Sequence, residues 1–143
     1  MSLEENIIIN DLPRIGTVAE ITRKLELPNG KVITGKRSNL FGAPAALLLN
    51  ALKYLAGIND SEHLISPEVL IPLQAFKKVQ LKGDIRLNID ETLIALSICA
   101  SNNLNSKMAL DCVYQLSNSE MHSTVILDST EETLLKKLGI NLT

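Results

Sequence analysis

The feature that most constrains this chain is a tight turn feeding, within a dozen residues, a helix apolar on nearly every side. From about Val18 to Leu27 apolar and polar residues roughly alternate, with Ile21, Leu25 and Leu27 on one face and Thr22, Lys24 and Glu26 on the other. That is the period of a half-buried strand. Pro28-Asn29-Gly30 then supplies a turn, with φ preset by the proline and a left-handed position open to the glycine. Lys31 to Thr34 returns as the partner strand. The next element starts near Gly42 to Pro44 and ends at Gly57, with only Asn50, Lys53 and Tyr54 as a polar stripe among Ala and Leu. Such a helix must be covered by a sheet on one side and another helix on the other.

Later segments extend the pattern. Ser66-Pro67-Glu68 opens a helix, serine as cap and proline in its first turn, with a kink or restart expected at Pro72. Asn88 with Glu91 is a capping-box pair introducing Leu93 to Ala100, and Asn103 caps a helix whose apolar face is Met108, Ala109, Cys112, Val113 and Leu116. Thr124-Val125-Ile126-Leu127 is continuous and β-branched, the pattern of a strand buried on both faces. Ser129 with Glu132 forms a second capping box, its helix ends at Gly139, and Ile140 to Leu142 starts one more strand. The order predicts an α/β fold, a three-layer sandwich with a mixed sheet. Leu48, Leu52, Ile94, Leu96 and Ile126 are the expected core. Residues 1–17 read as an appended start and a lead-in segment, and residues 18–143 as a single domain.

Composition narrows the chemistry. A net charge of -2 gives no basic footprint for nucleic acid and no polybasic membrane patch. No apolar run approaches a membrane span, and no apolar leader follows a basic start. Aromatics are only 3% of residues, so the core must be aliphatic. Cys99 and Cys112 fall among aliphatic neighbours and read as buried free thiols, which implies a reducing cytoplasm.

Gly30-Lys31-Val32-Ile33-Thr34-Gly35-Lys36 fits the first seven positions of a phosphate loop, but the eighth, where magnesium needs Ser or Thr, is Arg37. The context also opposes it, since the first glycine closes a hairpin and Pro44 delays the helix. A softer anion site survives at Lys36, Arg37, Ser38 and Gly42, just before a helix N-terminus where amides and the macrodipole favour negative charge. His122 and Ser123, expected just ahead of the central strand with Glu120 nearby, form a second polar candidate. His63 has only surface company. Two distant histidines and no Cys-x-x-Cys leave no zinc-ligand spacing, so neither metal nor cofactor is expected. Asp90 and Glu91 are explained by their place in a helix's first turn. No catalytic residue stands out.

Leu27-Pro28-Asn29-Gly30, Thr34-Gly35-Lys36, Leu40-Phe41-Gly42, Ser66-Pro67-Glu68-Val69, Pro72-Leu73-Gln74, Glu91 to Leu96, Glu120 to Leu127 and Leu138 to Asn141 carry a family likeness. They resemble the C-terminal domain of the bacterial uncharacterised protein family 0371, from about Val18 to Thr143. The resemblance implies a domain of a much longer protein, which carries upstream a glycine-rich Gly-Ser-Gly-Lys segment and continues past Thr143 with an aromatic-rich tail. It also implies a topology similar to cytidine deaminases without their zinc ligands. Where those enzymes carry His-x-Glu or Cys-x-Glu, this chain has Gly42-Ala43-Pro44-Ala45-Ala46, and Ser66-Pro67-Glu68 has no cysteine. No activity comes with the resemblance. The expected role is a non-catalytic accessory or interaction domain, partnered by upstream domains and by copies of itself, with no nucleic acid or membrane partner. The alternative is an anion-binding corner, for phosphate or nucleotide, in an active site completed upstream.

Overall fold

A computed structural model describes residues 23–143. The hairpin forms as its turn chemistry dictates. Strand β1 (Arg23–Glu26) pairs antiparallel with β2 (Val32–Thr34), Leu25 opposite Ile33. Gly30 takes φ 89°, and the Leu27 and Gly30 amides donate to the Lys31 and Leu27 carbonyls at 2.9 and 2.8 Å. Residues 18–22 of the expected first strand lie outside the described residues.

Helix α1 (Ala43–Ala56) is capped by extended Gly42 and stopped at Gly57, whose φ of 71° lets its amide turn back to the Lys53 and Tyr54 carbonyls. It packs on β1 and β2 with one side and on two later helices with the other. Leu47, Leu48, Ala51 and Leu52 are fully buried as a result. Lys53 departs from the expected polar stripe. Its side chain is buried and its ammonium reaches the Asp60 carbonyl at 3.2 Å.

Helix α2 (Pro67–Val79) runs through Pro72 without a restart. The proline removes one amide, but the Glu68 carbonyl that would have received it is on an exposed residue, where water can replace the bond. Helix α3 (Ile89–Cys99) starts with the expected Asn88–Glu91 capping box, and α4 (Leu104–Asp111) with Asn103 accepting from the Ser106 amide. A 3-10 turn (Val113–Leu116) leads to strand β3 (Glu120–Ser123). Helix α5 (Ser129–Lys137) and strand β4 (Asn141–Leu142) complete the order.

The sheet order is β2-β1-β3-β4, antiparallel except for the parallel β3–β4 pair. The α/β class with a mixed sheet is therefore as the sequence predicts. Leu25, Ile33 and Met121 point from three adjacent strands into the core beneath α1. On the opposite face the strand residues Lys24, Glu26, Val32, Thr34, Glu120 and His122 are exposed. Among the described residues the layers are thus sheet, α1, and then α3 with α4, rather than helices on both sheet faces.

Three expectations are corrected. Thr124 to Leu127 is not the central strand; the strand ends at Ser123, whose hydroxyl donates to the Val125 carbonyl at 2.6 Å and closes a local turn. Ile126 is 96% exposed there, since β-branched residues favour strands only where a neighbouring strand receives them. Ile94 is also exposed, facing away from the core on α3, whereas Leu48, Leu52 and Leu96 are buried. The second capping box is Asp128 with Glu131, one residue earlier than Ser129 with Glu132. Both pairs fit the same spacing, and the carboxylate of Asp128 takes the Glu131 amide at 2.7 Å.

Candidate functional site

The segment that partly matches a phosphate loop is a piece of packing, in keeping with the reading that it is not one. Gly30 serves the hairpin, and Gly35 serves a close approach, since a Cβ there would lie 2.5 Å from the Leu47 backbone. Lys36 and Arg37 follow on the stretch between β2 and α1. Ser38 is buried, and its hydroxyl accepts from the Leu40 and Phe41 amides, each at 3.0 Å. The Gly42 amide donates to the Leu87 carbonyl at 3.0 Å, part of a bridge in which the Leu87 amide returns to the Leu40 carbonyl. Arg86 donates through Nε to the Ser38 carbonyl at 2.6 Å and pairs with Asp84 at 3.2 Å. The Arg86 amide, with the guanidinium beside it, holds the Asp84 carboxyl below its ordinary value. One donor an anion would need at this corner, the Gly42 amide, is thus already engaged, and the Ser38 side chain is buried.

His122 lies within β3, not ahead of its strand, because the strand is shifted toward the N-terminus from its expected place. Strand period points His122 and Glu120 to the open face of the sheet and Met121 to the core. The register places Glu26 directly opposite Glu120 and Lys24 opposite His122. Nε2 of His122 comes within 3.5 Å of a Glu26 oxygen and 3.9 Å of a Glu120 oxygen. Its other nitrogen, Nδ1, meets the Thr143 hydroxyl at 2.8 Å. Ser123, the expected companion, turns its hydroxyl to the Val125 carbonyl instead. Glu26 was not legible as a site residue, since only the β1–β3 pairing brings it to His122.

Two further spaces among the described residues are modest. A cavity of about 20 Å³ beside Lys53, His63 and Leu64 has room for a single water. An open groove of about 280 Å³ between the starts of α3 and α5 is lined by Asp90, Ser129, Thr130, Thr133, Leu134 and Lys137. No helix among the described residues is long and apolar enough to cross a membrane. Burial pushes the Cys112 thiol up, with Asp111 adding to the effect. Cys99, the last residue of α3, lies against the start of α2, its sulfur 3.5 Å from the Ser66 amide. The deaminase zinc does not fit here: the residues that begin α1 and α2 offer neither histidine nor cysteine.

A short mixed sheet, one buried helix and a capping helical pair make this an α/β domain with Glu26, Glu120 and His122 close together on the open sheet face. Residues 14–143 match the family described as "Domain of unknown function DUF1846, C-terminal", and the chain belongs to that family. A UPF0371 protein of Streptococcus thermophilus is 48% identical over 120 residues, covering 83% of this chain and 24% of that protein. One from Corynebacterium diphtheriae is 45% identical over the same shares, and one from Streptococcus equi subsp. equi is 46% identical over 87% of this chain and 26% of its own length. The chain thus spans about a quarter of the length of the curated relatives it matches.

Proposed function

We propose that this domain is a non-catalytic accessory domain that packs, through the outer surface of its helical layer, on the remainder of a longer cytoplasmic bacterial protein. The observation that carries the reading is an apolar surface on the side remote from the sheet. Helices α2 and α3 lie antiparallel, Ser66 at the start of one meeting Cys99 at the end of the other, and Lys77 meeting Glu91 at 2.6 Å. On this pair Ile71, Phe76 and Val79 of α2 and Ile94 and Ile98 of α3 are more than half exposed, and Leu104 at the start of α4 is 71% exposed. Clustered exposure of large apolar side chains marks an interaction surface rather than a finished exterior. Relatives about four times as long supply an occupant in the same polypeptide. In its absence a second copy is the default partner for such a face.

The hairpin, buried helix and mixed sheet support a deaminase-like layout that serves as scaffold. Two free thiols support the cytoplasmic assignment. The anion-binding alternative has less support, given that the Gly42 amide is spent on the Leu87 carbonyl and Ser38 is buried.

The test compares hydrogen exchange of α2 and α3 in the 143-residue chain and in a longer protein containing it. Exchange should slow in the longer protein across Ile71–Val79 and Ile94–Ile98. The double variant Ile94→Glu, Ile98→Glu should abolish that protection while leaving the short chain's stability within about 0.5 kcal/mol. Equal exchange in both contexts would refute the docking surface.

A further inference from the structure

We propose that two copies of this chain pair through α2, laid antiparallel about a two-fold axis at Ala75. The outward side of this helix is apolar along its middle. Ile71, Ala75 and Val79 form one ridge at four-residue spacing, Pro72 and Phe76 form the next, and all of them are exposed. Ile71, Phe76 and Val79 are 64%, 54% and 62% exposed. Ridges at that spacing interdigitate with the same ridges of a second helix. Glu68, Ala75 and Lys82 recur at nearly two helical turns, which puts them on the same line down this side, Lys82 just past the helix end.

The charge pattern selects the occupant. Residues 67–73 carry one charged group, the carboxylate of Glu68, whereas residues 74–83 carry Lys77, Lys78 and Lys82 and no acid. Lys77 is spent inside the domain, its ammonium 2.6 Å from both the Glu91 carboxylate and the Arg86 carbonyl. Glu68, Lys78 and Lys82 are exposed and have no ion pair with another described residue. The outer side of α2 thus has an acidic end, an apolar middle and a basic end. A surface that complements it must be apolar with the charges in reverse order, and α2 turned end for end is that surface.

With Ala75 on the axis, Ile71 faces Val79 of the second copy, and Glu68 faces Lys82 with Lys78 beside it. Ala75 has the smallest side chain on the stripe, so the backbones approach most closely where the helices cross. A parallel arrangement would set Glu68 against Glu68 and lysines against lysines, which opposes pairing. A helix of 13 residues spans about 20 Å. One such face covers less than the roughly 800 Å² per partner of a standard interface, so the pair is reversible and depends on concentration. The pairing rests on the docking surface proposed above and gives the geometry of its second-copy partner. It uses α2 without Ile94 and Ile98 of α3, so the two readings fail separately.

Sedimentation of the 143-residue chain from roughly micromolar to millimolar concentration should show a reversible dimer. Ile71→Glu should abolish it. Glu68→Lys should weaken dimerisation by roughly tenfold or more, and so should the pair Lys78→Glu, Lys82→Glu, since each sets like charges together at both ends of the contact. An equimolar mixture of those two variants should dimerise again, because each supplies the charges the other lacks. All the changed side chains are exposed, so native circular dichroism should be retained throughout. Ile94→Glu with Ile98→Glu should leave the dimer constant unchanged. A parent chain that stays monomeric at millimolar concentration would overturn the pairing. So would association indifferent to Glu68→Lys, a mixture that stays monomeric, or a dimer lost on changing Ile94 and Ile98. The hydrogen-exchange comparison with a longer protein, made at dilution where the short chain is monomeric, reads the docking surface independently of all these results.

Discussion

Replacing Gly35 by alanine should cost far more than replacing the lysine that follows it. The added Cβ would lie 2.5 Å from both the Cα and N of Leu47, and 2.9 Å from the Ala46 carbonyl carbon. Carbon contacts are comfortable only near 3.5–4.0 Å, so the seam between β2 and α1 must open by roughly 1 Å. The obstructing atoms are helix backbone, in a helix buried against both the sheet and two other helices, and no rotamer change relieves the clash. Overpacking of that kind costs about 3 kcal/mol, and the stiffer unfolded chain returns about 0.5–1 kcal/mol. The net loss is about 2 kcal/mol, or roughly 5–10 °C in Tm for a domain of this size. Urea unfolding followed by circular dichroism reads it directly. Lys36→Ala should stay within about 0.5 kcal/mol, and ATP with magnesium should stabilise neither variant. A harmless Gly35→Ala combined with ATP binding lost in Lys36→Ala would refute the packing argument and restore the phosphate loop.

Leu48→Ala should destabilise by about 2–5 kcal/mol through the cavity it leaves, whereas Ile126→Ala should stay within about 0.5 kcal/mol; comparable losses in denaturant titrations would mean that the strand lies at Thr124–Leu127 after all. Asp84 has its folded pKa below the unfolded value, so its pairing with Arg86 stabilises above the ordinary carboxylate range and is lost as pH falls through the folded value. Asp84→Asn should therefore be slightly less stable than the parent at neutral pH and indistinguishable from it in strong acid, and a difference that persists in acid would contradict the sign.

What the sequence made legible was local. Proline presets φ and glycine alone takes positive φ without strain, so the hairpin and both ends of α1 follow from Pro28-Asn29-Gly30, Pro44 and Gly57. Caps are equally local, and Asn88 and Asn103 act where they were expected. Asp128 and Ser129 show the limit, since two overlapping four-residue patterns compete and the better acceptor takes the position. Nonlocal pairing was not legible. Thr124 to Leu127 has the stronger β composition, yet Glu120 to Ser123 forms the strand because Met121 meets Leu25 and fills the core there. Ile94 shows the same limit on a helix: its apolar side chain is as suited to an interface as to a core, and periodicity alone does not distinguish them.

The site repeats this division at the level of charge. His122 could be picked out because histidine is rare in this chain, and Glu120 because it stands two residues away on the same strand face. Glu26 belongs to the same cluster only through the β1–β3 register, which is set by the apolar residues on the other side of the sheet. Leu25 opposite Met121 buries the core face, and strand alternation then forces Glu26 opposite Glu120 on the outer face. A slip of one residue would exchange the buried and exposed sets on that strand. The core therefore holds the two carboxylates together against their repulsion, and hydrophobic packing supplies the free energy that keeps them beside His122. Shaving the core at Met121 should accordingly loosen the cluster before it unfolds the domain.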